Sequence, residues 1–220
     1  MKVFLILITS ILYTNLFGQT VGKMVDPRDQ KEYKTVQLGR QVWMAENLSF
    51  EPPVNDSLVK YNWEPVLYHR YKKKWEKMGE YFLGMYFVDS IREPNKRLIF
   101  YNWKVAQNVC PNDWHLPTKI EYDTLLKSLG RDKKIGYAKL IEDTMSSFNI
   151  KSKGWFSVAS NYGVVLFYDW KVAKFWAAGN MPRKSHMENK PLLLVNFRTE
   201  KYFINDGYWR DGNFVRCLKN

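Results

Sequence analysis

Histidine and cysteine are scarce in this chain, with three of the first and two of the second among 220 residues. His69, His115 and His186 show no metal-ligand spacing, such as a His-x-x-x-His pair on one helix face, so no histidine-built metal centre is expected. No glycine-rich phosphate loop and no nucleophile elbow occurs, which removes the commonest signatures of nucleotide and acyl-transfer enzymes. Internal repeats and low-complexity tracts are absent too. The length then suits one domain, or one domain with a long insertion. Acidic residues are in the minority, 22 against 34 Lys and Arg, for a formal net charge of +12. A balance that basic suits an anionic partner: nucleic acid, acidic glycan, lipopolysaccharide or a membrane surface. A well-solvated basic surface accounts for it equally well.

Only the N-terminus carries an extended apolar run. Met1-Lys2 is a minimal positive region, Val3 to Phe17 is apolar apart from Thr9, Ser10, Thr14 and Asn15, and Gly18-Gln19-Thr20 supplies small and polar residues for cleavage. Residues 1–19 therefore read as a secretory signal peptide, the run being short for a bilayer-spanning helix. No cysteine stands near the cut, so a lipoprotein-type anchor is not expected. The expected location is secreted, cell-surface or periplasmic, with no transmembrane span after cleavage. Export makes nucleic acid a poor partner and makes a disulfide chemically reasonable. Cys110 and Cys217 read as one bridge between a helical pair and the last strand, with two buried free thiols as the alternative.

Hydrophobic residues make up 45% of the chain and aromatics 16%, enough for a substantial core. Lys34 to Leu38 and Val42 to Met44 alternate in character about Gly39-Arg40, which predicts a two-residue hairpin turn with glycine first. A short helical segment ends at Cys110-Pro111. A second helix opens at Thr118, whose side chain is placed to cap Glu121 and be capped in return. Behind it Tyr122, Leu125, Leu126 and Leu129 share one face, and Gly130 is the stop. Residues 50–97 are read as an insertion with some structure of its own, too short and polar for an independent core; Tyr81 to Val88 would serve it as a strand. From Ile150 onward short strands dominate: Gly163–Tyr168, Lys174–Ala178, Pro191–Phe197, Tyr202–Asn205 and Asn213–Leu218, with Gly179-Asn180-Met181-Pro182 and Asp206-Gly207 as turns. Hairpin, two helices, then short antiparallel strands is an α+β order without βαβ alternation.

Three separated stretches resemble one family. Asp26-Pro27-Arg28-Asp29 through Val36, with Gln41-Val42-Trp43-Met44-Ala45-Glu46-Asn47-Leu48, is similar to the opening signature of the Fibrobacter succinogenes major paralogous domain. Cys110-Pro111-Asn112-Asp113-Trp114-His115-Leu116-Pro117-Thr118 resembles its central signature, and Val215-Arg216-Cys217-Leu218-Lys219 its ending. The resemblance spans nearly all of residues 20–220. It implies a single exported domain with a C-type-lectin-like core, related in shape to formylglycine-generating-enzyme-like domains. In that fold a cysteine closing the first helix pairs with one in the last strand, the places that Cys110 and Cys217 occupy. The 50–97 insertion is longer than the family's usual link. The family supplies no settled activity to carry over.

Candidate sites follow from that shape. Trp170, Tyr208 and Trp209 lie in the strand-and-loop half, where an exposed ring offers a sugar an apolar face. Lys171, Lys174 and Arg183 are interleaved with them and could meet carboxylate or sulfate. The alternative is that most rings fill the core, as Trp176 is expected to. A calcium site of lectin type would draw on Glu188, Asn189, Asn205 and Asp206, since Ca²⁺ takes six to eight oxygens; yet Glu188-Asn189 lacks the proline of that motif, so no metal or other cofactor is expected. Arg70, Lys72, Lys73, Lys74 and Lys77 form a basic patch that suits anionic lipid or polysaccharide, or is simply a solvated face. The overall expectation is a non-catalytic binding module for a glycan or anionic surface polymer. A protein-interaction or structural envelope role is the alternative, and a formylglycine-generating-enzyme-like oxidoreductase a lesser one.

Overall fold

The computed structural model describes residues 21–54, 58–62, 84–89, 98–142, 148–151, 154–155, 157–159, 163–165, 171–181 and 189–220. Within them the architecture is mixed α and β, rich in strands and poor in helix. Strand β1 (Val21–Val25) pairs antiparallel with β2 (Glu32–Leu38), and β2 with β3 (Gln41–Met44). The β2–β3 turn is the expected one. Leu38 faces Gln41 across Gly39-Arg40, and of the two only Gly39 takes positive φ, at 63°. That pattern is a turn with its left-handed residue first, where glycine escapes the Cβ penalty. The last strand, β13 (Leu218–Lys219), enters beside β3, and the short β7 (Trp114–His115) completes a five-stranded sheet ordered β1-β2-β3-β13-β7. The first and the last described strands thus lie in one sheet.

Strand β4 (Leu58–Asn62) pairs parallel with β5 (Gly84–Asp89), and β5 pairs antiparallel with β6 (Leu98–Tyr101). The described part of the 50–97 stretch is therefore tied to the main fold through β6, by the register Tyr86 opposite Tyr101 to Asp89 opposite Leu98. Helix α1 (Trp103–Ala106) is one turn capped by Asn102, α2 is Lys119–Ser128 and α3 is Lys133–Ile141. The described chain thus has a helix, α3, beyond the two read from the sequence. After the two-stranded β8 (Ser157–Ala159) and β9 (Gly163–Val165), an antiparallel sheet of β10 (Val172–Trp176), β11 (Asn189–Asn196) and β12 (Lys201–Tyr208) follows. Asp206-Gly207 lies inside β12 and is not a turn. Gly207 is there because of its neighbours: a Cβ on it would meet Leu192 Cδ2 at 2.7 Å. The Asn213–Leu218 stretch is not a continuous strand; single bridges at Asn213 and Phe214 precede β13.

A wall of strands divides the core in two. Successive residues of a strand point to opposite faces, and here both faces are covered. In β6, Leu98 and Phe100 join one cluster while Ile99 and Tyr101 join the other. The same split puts Phe175 and Leu193 with α2 and α3, and Trp176 and Leu192 with α1. The larger cluster holds Trp43, Tyr122, Leu125, Tyr137, Leu140 and Phe148, and the smaller holds Tyr33, Met44, Trp103, Val109 and Cys217. Trp176 is fully buried, as expected, and its indole N–H donates to Tyr101 O at 2.7 Å.

Candidate binding surface

The three signature stretches serve the fold first. Asp26 is buried and accepts from the Arg28 side chain at 2.9 and 2.6 Å and from the Arg28 backbone N–H at 3.0 Å. Burial pushes its pKa up, but those bonds outweigh it and hold the carboxyl below its ordinary value. The Thr118–Glu121 capping box is complete, and Glu121 also lies 3.0 Å from Nε2 of His115. The other ring nitrogen of His115 sits 2.6 Å from Oδ1 of Asn220, so the histidine joins the start of α2 to the C-terminus. Cys110 and Cys217 form a disulfide with Cα atoms 5.8 Å apart, closing a sequence separation of 107. Arg216, next to it, is buried. Its guanidinium donates to Asn47 Oδ1 and Asn149 O at 2.9 Å each and to Phe148 O, while lying 4.5 Å from the Phe148 ring centre. Burial pushes its pKa down to about 9, leaving it charged at neutral pH.

A different kind of surface forms where β12 ends. Tyr208 to Asp211 make a turn closed by the Asp211 N–H on Tyr208 O at 2.9 Å, so Trp209 and Arg210 occupy its two central positions. The turn is held to α1 by the Trp103 backbone N–H, which donates to Trp209 O at 3.0 Å. Trp209 is half-buried: it packs against the smaller core and leaves the rest of its ring outside. The Arg210 guanidinium lies 4.9 Å from its ring centre and Lys104 Nζ 5.8 Å. Both are within reach of the electron-rich indole face. Nε of Arg210 is buried without a hydrogen-bond partner among the described residues. Just beneath, Lys190 Nζ donates to Asn180 Oδ1 at 2.7 Å and lies 4.2 Å from the Trp103 ring. Two segments, α1 and the 208–211 turn, thus contribute one basic, aromatic surface over the buried Lys190–Trp103 contact.

Of the residues singled out in the sequence, Tyr208 and Trp209 lie here, their ring centres 6.1 Å apart. Lys171 is exposed, and Lys174 sits over Trp155, 3.0 Å from that ring centre. Lys174 faces Leu194 and then Phe203 across the sheet, whereas Tyr208 faces Asn189 at the far end. Five residues of strand separate the two positions, roughly 17 Å, so they do not share one pocket. Asn189 donates to Asp206 Oδ2 at 2.6 Å. Asn205 and Asp206 are consecutive in β12, and of the four calcium candidates Glu188 lies outside the described residues. Among the described residues no group of three or more His, Cys, Asp and Glu could hold a metal ion. Trp170, Arg183, Glu188 and the basic patch of Arg70, Lys72, Lys73, Lys74 and Lys77 lie outside the described residues, as does the signal-peptide stretch. Lys104, Arg210, Lys190 and Trp103 were not legible as site residues. The one local hint was the Trp-Lys of 103–104 and the Trp-Arg of 209–210, and only the fold places the two dipeptides together.

A family model described as the Fibrobacter succinogenes major domain matches residues 36–219. No curated protein and no solved structure matches the chain.

Proposed function

This chain belongs to the Fibrobacter succinogenes major domain family, and from that premise we propose an exported, non-catalytic binding module of the cell surface or extracellular space. Its core is of C-type-lectin-like type, and its ligand is a glycan or an anionic surface polymer. The observation that carries the reading is the turn at Trp209, a partly exposed indole with two cations against it. Such a ring offers an apolar plane for a sugar and, through its neighbours, charge-assisted donors for acidic groups. The disulfide supports an oxidising compartment. Among the described residues no helix is long and apolar enough to cross a membrane. The lectin-like reading draws support from the bridge between the end of the first helical segment and the last strand, and from the first and last described strands sharing a sheet. The oxidoreductase alternative has the least behind it, because both cysteines are consumed in that bridge.

A protein-interaction role is favoured by one feature. Strand β1 forms the outer edge of its sheet, with Val21 and Val25 exposed, and such an edge can accept a strand from another chain. A glycan array of the secreted protein separates the two readings. Binding that is lost in Trp209→Ala, or in Trp170→Ala, is expected for a glycan module. A clean array together with a specific co-purifying protein would overturn it in favour of the second.

A further inference from the structure

We propose that the Trp209 turn selects acidic over neutral sugars, taking a uronic-acid or sulfated residue with its ring on the indole and its acid group on Lys104 and Arg210. This rests on the glycan-binding reading and specifies its ligand class. Two cations already use the indole, at 4.9 and 5.8 Å from its centre. Any sugar ring stacking there moves the cations off the indole face, and a neutral one gives nothing back for the lost cation–ring contacts. An acidic sugar replaces those contacts with charge-assisted bonds from its acid group to the same two cations. Arg210 is half-exposed, and a guanidinium carries five N–H donors in a planar fork suited to a carboxylate or sulfate.

The acids of the same segment are Asp206, which accepts from the neutral amide of Asn189, and the buried Asp211; Lys104, Arg210 and the buried Lys190 outnumber them three to two. The support is rigid on both sides. Trp103 donates its backbone N–H to Trp209 O and its indole N–H to Ala177 O at 2.9 Å. Asn213 exchanges two backbone bonds with Tyr101 at 2.9 and 3.0 Å, pinning the chain just after the turn. The backbone that carries Trp209, Arg210 and Lys104 is therefore held in place before a ligand arrives.

The test uses the full secreted chain and three probes: a galacturonate oligosaccharide, a neutral galactan oligosaccharide of equal length, and polyglutamate. Binding to the galacturonate alone is expected, weakening with added salt. It should fall about ten-fold in Lys104→Ser, further in the Lys104→Ser/Arg210→Ser double variant, and be lost in Trp209→Ala. Lys104 is exposed, so its single variant keeps the test valid even where Arg210 substitution harms folding. Equal binding of the galactan, equal binding of polyglutamate, or unchanged galacturonate binding in Lys104→Ser would each overturn the acidic-sugar assignment. In the first case the broader glycan reading survives if Trp209→Ala still abolishes retention. Retention of neither sugar would sink both.

Discussion

Arg210 and Arg216 both lie in the C-terminal segment and both place a guanidinium over aromatic rings, yet their surroundings differ. Arg216 is buried beside the disulfide and donates to oxygens of Asn47, Phe148 and Asn149, joining three stretches far apart in sequence. Arg210 is half-exposed on a turn and keeps a buried donor without a partner among the described residues. A buried polar group is costly to leave unmet. The enclosed arginine therefore belongs to the fold, while the half-exposed one presents part of its side chain to a ligand. The contrast extends to the tryptophans: Trp43 and Trp176 are fully enclosed, while Trp209 is left partly outside with two cations near its ring.

The comparison can be broken at its strongest point first. Replacing Cys110 and Cys217 together by Ala should lower unfolding free energy by about 4–5 kcal/mol in the chain-entropy limit, read from urea denaturation. A loss under about 1 kcal/mol would mean that the buried surroundings of Arg216 do not depend on the bridge. Next, Arg216→Met should cost about 3–4 kcal/mol, since it leaves the oxygens of Asn47, Phe148 and Asn149 without their donor. Arg210→Met should cost under about 0.5 kcal/mol. Equal losses from the two arginines would erase the distinction between them. Thr118→Ala removes one side of the capping box and should cost about 1 kcal/mol by the same measurement.

The smallest effect concerns acid. For both Asp26 and Glu121 burial raises the pKa, but hydrogen bonds outweigh it, from Arg28 in one case and from Thr118 and His115 in the other. Their folded pKa values therefore lie below the unfolded ones. The stability they contribute is present above the unfolded carboxylate range and is lost as pH falls through the folded values. Denaturation midpoints should hold from neutral pH to about 5 and then decline. The decline should be shallower in Asp26→Asn and in Glu121→Gln. A wild-type midpoint that rises on acidification would contradict the assignment of these carboxylates to the fold.

Local chemistry made much of the fold legible. Gly39 lies at the left-handed position of the β2–β3 turn, Thr118 and Glu121 cap each other, and Tyr122, Leu125 and Leu129 are buried together, with Leu126 packed at the margin. Gly130, at φ 102°, follows the last turn of α2 as a stop. Each depends on neighbours within a few residues. Helix α3 was missed for the opposite reason. Gly136 in its middle lowers helical propensity, and it is required only because the Tyr202 hydroxyl, from β12, occupies the place of a Cβ. Asp206-Gly207 misled in the same way, its glycine answering to Leu192 and Trp176 across the sheet. Strand β1 was hidden because the pairing that defines it lies with β2 and not in its own residues.

By itself the sequence determined what short-range sterics and hydrogen bonding decide: turn type, helix cap, one face of α2, and the pair of thiols available for a single bridge. It could not decide which aromatic rings are enclosed and which are displayed. That choice follows from the register of β10, β11 and β12 and from the bonds that bring α1 against the Tyr208–Asp211 turn. Burial is a property of packed neighbours distant in the chain, so the basic, aromatic surface exists only once the strands have paired.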